Sequence, residues 1–289
     1  MNFSVVIISF HSFHLIENII KNFNEKTNII IIENSKDIKV KNKIEALYKN
    51  VKVIIPEKNL GFGPGINLGI KLSKNEYVLC LTADVKISKM SINSLSNCIE
   101  KFNDFAIISP TFFNEEIYKN YSISSKKKNL TDPISIEYGI REVDFVDGAA
   151  FLINKFIMEK IGYMDENFFF YFEQEDLCLR LNKHNQKIYI CDKIKFSHKG
   201  LGSSHSSVIS KVKILRNWHY SYGKFYFYKK NYGYLIGLKK TWPNFVRAIK
   251  YIILSVVKNK PEELRMHKAE LKGLINSYLL NKSFYRLLE

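Results

Sequence analysis

The chain opens on a strand-like run, Phe3-Ser4-Val5-Val6-Ile7-Ile8-Ser9, whose centre is all β-branched, and runs rich in Val and Ile return at 28–33 and 51–55. Between these runs, at about 15–23 and 40–49, apolar residues recur every three or four positions, as on one face of a helix. Strands that are apolar on both faces and alternate with helices belong to a mostly parallel sheet that helices cover on both sides. The alternation continues with a strand at 77–84, a helix at 90–101 and a strand at 105–109. In such sheets ligands collect at the carboxyl ends of the strands, where Ser9, Glu33 and Asp84 fall.

The pattern then changes. Residues 114–132 are polar, with Lys126-Lys127-Lys128, and read as a mobile insertion whose ordering depends on ligand. Phe168-Phe169-Phe170-Tyr171-Phe172 is an uninterrupted aromatic run, and Glu173, Glu175 and Asp176 follow at the start of a helical pattern in which Leu177, Leu181 and His184 share a face. A run of this kind is core. Carboxylates at its edge lose solvation unless they meet a cation, a metal or a hydroxyl. Asp147-Gly148-Ala149-Ala150 upstream and His198-Lys199-Gly200-Leu201-Gly202 downstream bracket these acids, and together they read as a reaction site in the middle of the chain. Beyond serine-rich 203–207 the pattern is helical, at about 208–230, 234–258 with a break at Pro243, and 262–280.

Composition adds a charge asymmetry. The 289 residues are 46% apolar and 14% aromatic, enough for a sizeable core and against general disorder. Residues 1–194 hold 25 basic and 24 acidic residues, whereas 195–289 hold 19 and 4, so nearly all of the +16 net charge lies in the last third. Such a region attracts nucleic acid, anionic lipid or a phosphorylated substrate, or is a solvated lysine-rich surface. Its aromatics from Trp218 to Tyr228, interleaved with Lys224, Lys229 and Lys230, serve either packing or a lipid interface. Cys80, Cys98, Cys178 and Cys191 form no C-x-x-C pair and read as reduced core thiols. The first residues read as a strand rather than a signal peptide, and no run reaches the roughly 18–20 apolar residues needed to span a bilayer.

Two features carry candidate chemistry. The loop Glu57-Lys58-Asn59-Leu60-Gly61-Phe62-Gly63-Pro64-Gly65 lets backbone approach a ligand and leads into a helix N-terminus that can meet an anion. Its spacing is neither a P-loop nor a dinucleotide fingerprint. Tyr77-Val78-Leu79-Cys80-Leu81-Thr82-Ala83-Asp84 is an apolar strand ending in a carboxylate, suited to holding a divalent cation against a diphosphate.

In this order the pieces resemble the family 2 glycosyltransferases of GT-A fold, in particular the bacterial rhamnosyltransferase-like branch. They are Val5 to Ser9, Glu33-Asn34-Ser35, Asn59 to Gly63 with Asn67-Leu68-Gly69, Thr82-Ala83-Asp84, Asp147 to Ala150, Gly162 to Phe169, Glu173 to Arg180, and Ser197 to Gly200. The resemblance covers roughly residues 3–205. It implies an α/β GT-A fold: a single mostly parallel central sheet flanked by helices. Residues 1–205 would form the catalytic domain, with a nucleotide-sugar half to about 110 and an acceptor half from about 111, and 206–289 a basic, aromatic-rich helical extension.

The resemblance also implies roles. Ser9 and Glu33 would contact the nucleoside, Asn59, Gly61 and Asn67 the nucleotide loop, and Asp84 with His198 a Mg2+ or Mn2+ ion and the diphosphate. Thr82 stands where the full metal motif has a first acid. Asp147, Gly148 and Asp165 would lie on the acceptor side, and Asp176, paired with Glu175, would be the general base of an inverting displacement. The expected co-substrate is a nucleotide sugar, dTDP-L-rhamnose before a UDP-sugar. The expected acceptor is a glycan or a polyprenyl-diphosphate-linked glycan in surface polysaccharide synthesis. The expected location is cytoplasmic, with the C-terminal helices meeting an anionic membrane at its inner face or a second subunit. A catalytically silent scaffold and a nucleic-acid-binding protein are the alternatives, the latter without a binding signature of its own.

Overall fold

The computed structural model describes residues 3–113, 119–124, 133–198 and 209–286. The expected insertion at 114–132 lies outside these residues apart from 119–124, as do Lys199 to Gly202 and the serine-rich 203–207. Contacts divide the chain into two compact units. The first comprises Met1–Leu60, Pro64–Met164 and Leu177–Ser204, and the second Gly61–Gly63, Asp165–Asp176 and His205–Glu289.

The first unit is built on a sheet. In chain order the elements up to residue 198 are β1 (Phe3–Ser9), α1 (Phe13–Ile20), β2 (Ile29–Glu33), α2 (Ile38–Leu47), β3 (Val51–Ile54), α3 (Gly63–Leu72), β4 (Tyr77–Thr82), β5 (Val85–Lys86), α4 (Lys89–Lys101), β6 (Ile107–Phe112), β7 (Tyr121–Ser122), β8 (Ile140–Glu142), β9 (Phe145–Val146), β10 (Ala150–Asn154), α5 (Lys155–Ile161), α6 (Glu173–Lys183) and β11 (Ile188–His198), of which Gly63 and the first turn of α6 are counted in the second unit. The strand order is β3-β2-β1-β4-β10-β6-β11-β5, with β8 also on β11, while β7 and β9 pair separately. β3, β2, β1 and β4 are mutually parallel, as are β6 and β11. β10 is antiparallel to both of its neighbours.

The expected mostly parallel, helix-covered sheet is present. All five residues of β2, Ile-Ile-Ile-Ile-Glu, are buried, as a strand covered on both faces must be. Phe3, Val5 and Ile7 of β1 share one core with Leu79, Leu81, Leu152 and Phe196. Asp37 caps α2 by accepting from the backbone of Lys39 at 2.9 Å, which stops the chain turning back into sheet. All four cysteines are buried and unbridged.

The second unit is helical: α7 (Ile209–Tyr232), α8 (Tyr234–Val257) and α9 (Pro261–Tyr278). Trp218 and Tyr222 of α7 stack at 5.3 Å and 8°, packed with Ala269 of α9. The helices approach so closely that a Cβ on Gly273 would lie 2.3 Å from the Trp218 carbonyl oxygen. The aromatic run enters the same core, Phe168 edge-on to Tyr226 at 4.9 Å and Phe169 against His219 at 4.5 Å. Trp218, Tyr222 and Phe225 are therefore packing residues, almost wholly buried. The break expected at Pro243 does not occur. α8 runs through it, and Pro243 takes away only the N–H that would have bonded the exposed Lys239, whose carbonyl water can reach.

Candidate active site

The parallel register of β1 and β2 sets Ser9 directly beside Glu33 at the strands' carboxyl ends. The Ser9 hydroxyl donates to Glu33 Oε2 at 2.5 Å, and the Ser35 N–H donates to Oε1 at 2.9 Å alongside the Ser35 hydroxyl. Glu33 is fully buried, so these donors replace the water it loses. The following residue, Asn34, accepts from the Leu60 N–H at 3.0 Å and ties the glycine-rich loop to this strand end. Asn59, in that loop, is buried.

Other loop residues have structural work. Asn67 donates to the Met164 carbonyl at 2.8 Å and accepts from the Met164 N–H at 3.1 Å, a two-bond pairing that pins α3. Gly61, in the second unit, has φ of +79°, and a Cβ there would lie 2.1 Å from the Phe169 carbonyl oxygen. Only glycine allows that approach, which the Phe62 N–H completes by donating to the same carbonyl at 2.9 Å.

Asp84 follows β4 and precedes the short β5, whose antiparallel pairing sets His198 of β11 opposite Val85. This register brings His198 Nε2 within 3.4 Å of Asp84 Oδ2 across 114 residues of chain. Burial would raise the Asp84 carboxyl, but hydrogen bonds and charge from His198, the Thr82 hydroxyl and its own backbone N–H hold it below the ordinary carboxylate value. The Thr82 hydroxyl thus supports the one carboxylate at this strand end. Asp147 closes a turn, its Oδ1 accepting from the Ala149 N–H at 2.8 Å around Gly148.

The second unit holds a different acid cluster. Lys230 Nζ of α7 lies 2.7 Å from Asp165 Oδ2 and 2.8 Å from Asp176 Oδ2. Asn231 donates to Asp176 Oδ1 at 3.2 Å, and the Tyr226 hydroxyl donates to Asp165 Oδ2 at 3.1 Å. Asp165 also accepts from Asn167 at 2.9 Å, a turn bond. Burial raises the Asp165 carboxyl, but Lys230 and Asn167 outweigh it and the net displacement is downward. Burial first, then Asp165, pushes the Tyr226 phenol up. Glu175, one residue before Asp176 in the first turn of α6, is half-buried. Tyr171 and Phe172, at φ of 72° and 70°, are consecutive bulky residues in the left-handed region, and this bend delivers the acids into α6.

The sequence pattern marks Asp165 and Asp176 but not the side chains that bind them. Lys230, Tyr226 and Asn231 lie 54 to 65 residues away, and nothing in their local pattern marks them. The expected pairs Ser9 with Glu33 and Asp84 with His198 are each brought together. A divalent cation fits the second pair by donor chemistry, one carboxylate and one imidazole. Among the described residues no three His, Cys, Asp or Glu side chains converge, so a diphosphate and water would have to complete the shell.

The model of the family described as Glycosyl transferase family 2 matches residues 4–162. The chain is 26% identical over 206 residues to the low-salt glycan biosynthesis hexosyltransferase Agl10 of Haloferax volcanii, spanning 68% of this chain and 66%, just under two thirds, of that one. It is 24% identical over 253 residues to the dTDP-rhamnosyl transferase RfbF of Shigella flexneri, spanning 83% of each. In fold it is similar to the mannosyltransferase of Pyrobaculum calidifontis solved with GDP-Man and Mn2+, with a TM-score of 0.56 at 8% identity over 96% of this chain and 86% of that one.

Proposed function

This chain belongs to glycosyl transferase family 2, and from that premise we propose that it moves a sugar from a nucleoside diphosphate to a hydroxyl of a glycan or polyprenyl-diphosphate-linked glycan, with inversion. The observation that carries the reading is the pairing of Asp84 with His198 at 3.4 Å in the same unit as the Ser9–Glu33 strand ends. Ser9, Glu33 and Asn59 receive the nucleoside in this reading, while Gly61 and Asn67 shape the loop. Glu33 offers a carboxylate to a base N–H or a ribose hydroxyl. Asp84 and His198 would hold Mg2+ or Mn2+, which when bound neutralises charge on the departing diphosphate.

Asp176 takes the proton of the acceptor hydroxyl in this reading. Lys230 and Asn231 fix the orientation of its carboxylate, which is fully buried. Asp165 and the turn at Asp147 and Gly148 serve the acceptor side. The likeness to the dTDP-rhamnosyl transferase supports dTDP-L-rhamnose as donor ahead of a UDP-sugar, and surface polysaccharide synthesis is the setting proposed with it.

A calorimetric and thermal-shift panel of dTDP, UDP, GDP and CDP, each with and without Mn2+ or Mg2+, tests the reading. Metal-dependent binding of one nucleotide, lost in Asp84→Asn, is expected. Absence of binding by all four in the presence of acceptor would instead favour a catalytically silent scaffold.

A further inference from the structure

α8 is inside out. Its buried residues are the small Gly237, Thr241, Ala248 and Ser255, which face α7 and α9. Six of its large apolar residues are exposed along one side: Leu235 at 79%, Trp242 at 56%, Val246 at 51%, Ile249 at 39%, Ile253 at 58% and Val257 at 77%. At 3.6 residues per turn these six fall within an arc of about 80°, a continuous stripe along the helix. A helix of a water-exposed surface turns such a stripe toward the core.

The charges beside the stripe say what covers it. From residue 209 to 257, through α7 and α8, there are ten Lys and Arg residues and no acid. Lys239 and Lys250 are exposed and lie along one edge of the stripe, whereas Arg247 is engaged by Glu270 at 2.5 Å. A second copy docked through a two-fold axis along this stripe would set the same lysines against one another with no acid on α7 or α8 to meet them. An anionic bilayer meets both features, with acyl chains for the stripe and phosphates for ammonium groups that snorkel to the interface. Among the described residues no helix is long and apolar enough to cross a membrane, which leaves a helix lying in the interface.

We propose that α8 docks flat on an anionic lipid surface, its Leu235-to-Val257 stripe in the headgroup–acyl boundary with Lys239 and Lys250 on lipid phosphates. The docking stands whether or not the transferase reading does, because it uses none of the residues assigned to nucleotide or acceptor.

Co-sedimentation of the full chain with vesicles of phosphatidylcholine, alone or mixed with phosphatidylglycerol, tests it. Binding to the mixed vesicles at low ionic strength, weakened by salt, is expected. The double substitution Trp242→Ser with Ile253→Ser should weaken binding at least tenfold, and Lys239→Gln and Lys250→Gln about five-fold each. All four side chains are exposed, so an unchanged Tm will show that the variants fold. Three results would overturn the proposal: no sedimentation with either vesicle at low salt, wild-type binding by folded Trp242→Ser/Ile253→Ser, or a lipid-free dimer that this double variant dissociates. Nucleotide binding by calorimetry, measured without lipid, reports separately on the transferase reading.

Discussion

Asp84 keeps 6% of its side chain exposed and leans on a histidine at 3.4 Å, whereas Asp176 keeps none and leans on a lysine at 2.8 Å. An imidazole can itself ligate a metal, so both members of the first pair could serve as ligands to the cation proposed for this site. An ammonium has three donors and no acceptor. Between Asp165 and Asp176 the protein has thus built its own cation, and a metal there would have to displace Lys230. The two acidic sites thus differ in what they could accept: in the proposed reading the first would take a divalent ion and the second a hydroxyl.

Removing the acid of the first cluster is the harshest test. Asp84→Asn should lower kcat by about 10³ and abolish the metal dependence of nucleotide binding, read by initial rates and calorimetry. Retained metal dependence would erase the distinction. Asp176→Asn should leave nucleotide affinity intact and lower turnover by about 10², the usual value of a positioned general base. Turnover equal to wild type would remove Asp176 from the chemistry.

Smaller effects sharpen the second cluster. Lys230→Met strands one buried and one partly buried carboxylate and should cost about 2 kcal/mol in denaturant unfolding, less than the ~3–5 of a fully enclosed pair because Lys230 is 29% exposed. Adding Asp165→Asn should return part of that loss, and Lys230→Arg should retain most of the stability.

The last test concerns acid. His219, bonded to the Tyr285 carbonyl at 2.7 Å, is pushed by burial down to about 3. Below the ordinary histidine value the unfolded chain takes a proton that the folded one refuses, so its contribution is complete above about pH 6.5 and lost as pH falls. The depressed Asp165 carboxyl acts in the same direction at lower pH. Stability should fall between pH 6.5 and 4 by up to about 1.4 kcal/mol per unit, and more gently in His219→Gln. Equal slopes would show that His219 does not govern the acid limb.

These contrasts follow what a sequence can carry. The runs at β1, β2 and β4 announce themselves because burial on both faces demands unbroken apolar residues, and the strand-end residues Ser9, Glu33 and Asp84 follow from the sheet type. The partners of Asp165 and Asp176 do not, because they come from a helix more than 50 residues on, and helix packing leaves no spacing rule between acid and cation. α8 shows the same limit in another form. Its apolar periodicity marks a helix, but periodicity gives the width of a stripe and not the side on which the core lies. Only the placement of Gly237, Thr241, Ala248 and Ser255 against α7 and α9 decides that.

The second unit is assembled from three separated stretches of chain, of which the last runs to the C-terminal end. During synthesis Phe168 to Phe172 leave the ribosome before Tyr226 and His219, against which Phe168 and Phe169 pack, have been made. A nascent chain therefore carries five bare aromatic side chains for the several seconds that this interval takes at about 5–20 residues per second. A gene cut after residue 205 would make that exposure permanent, and its product should be recovered in inclusion bodies or bound to chaperones.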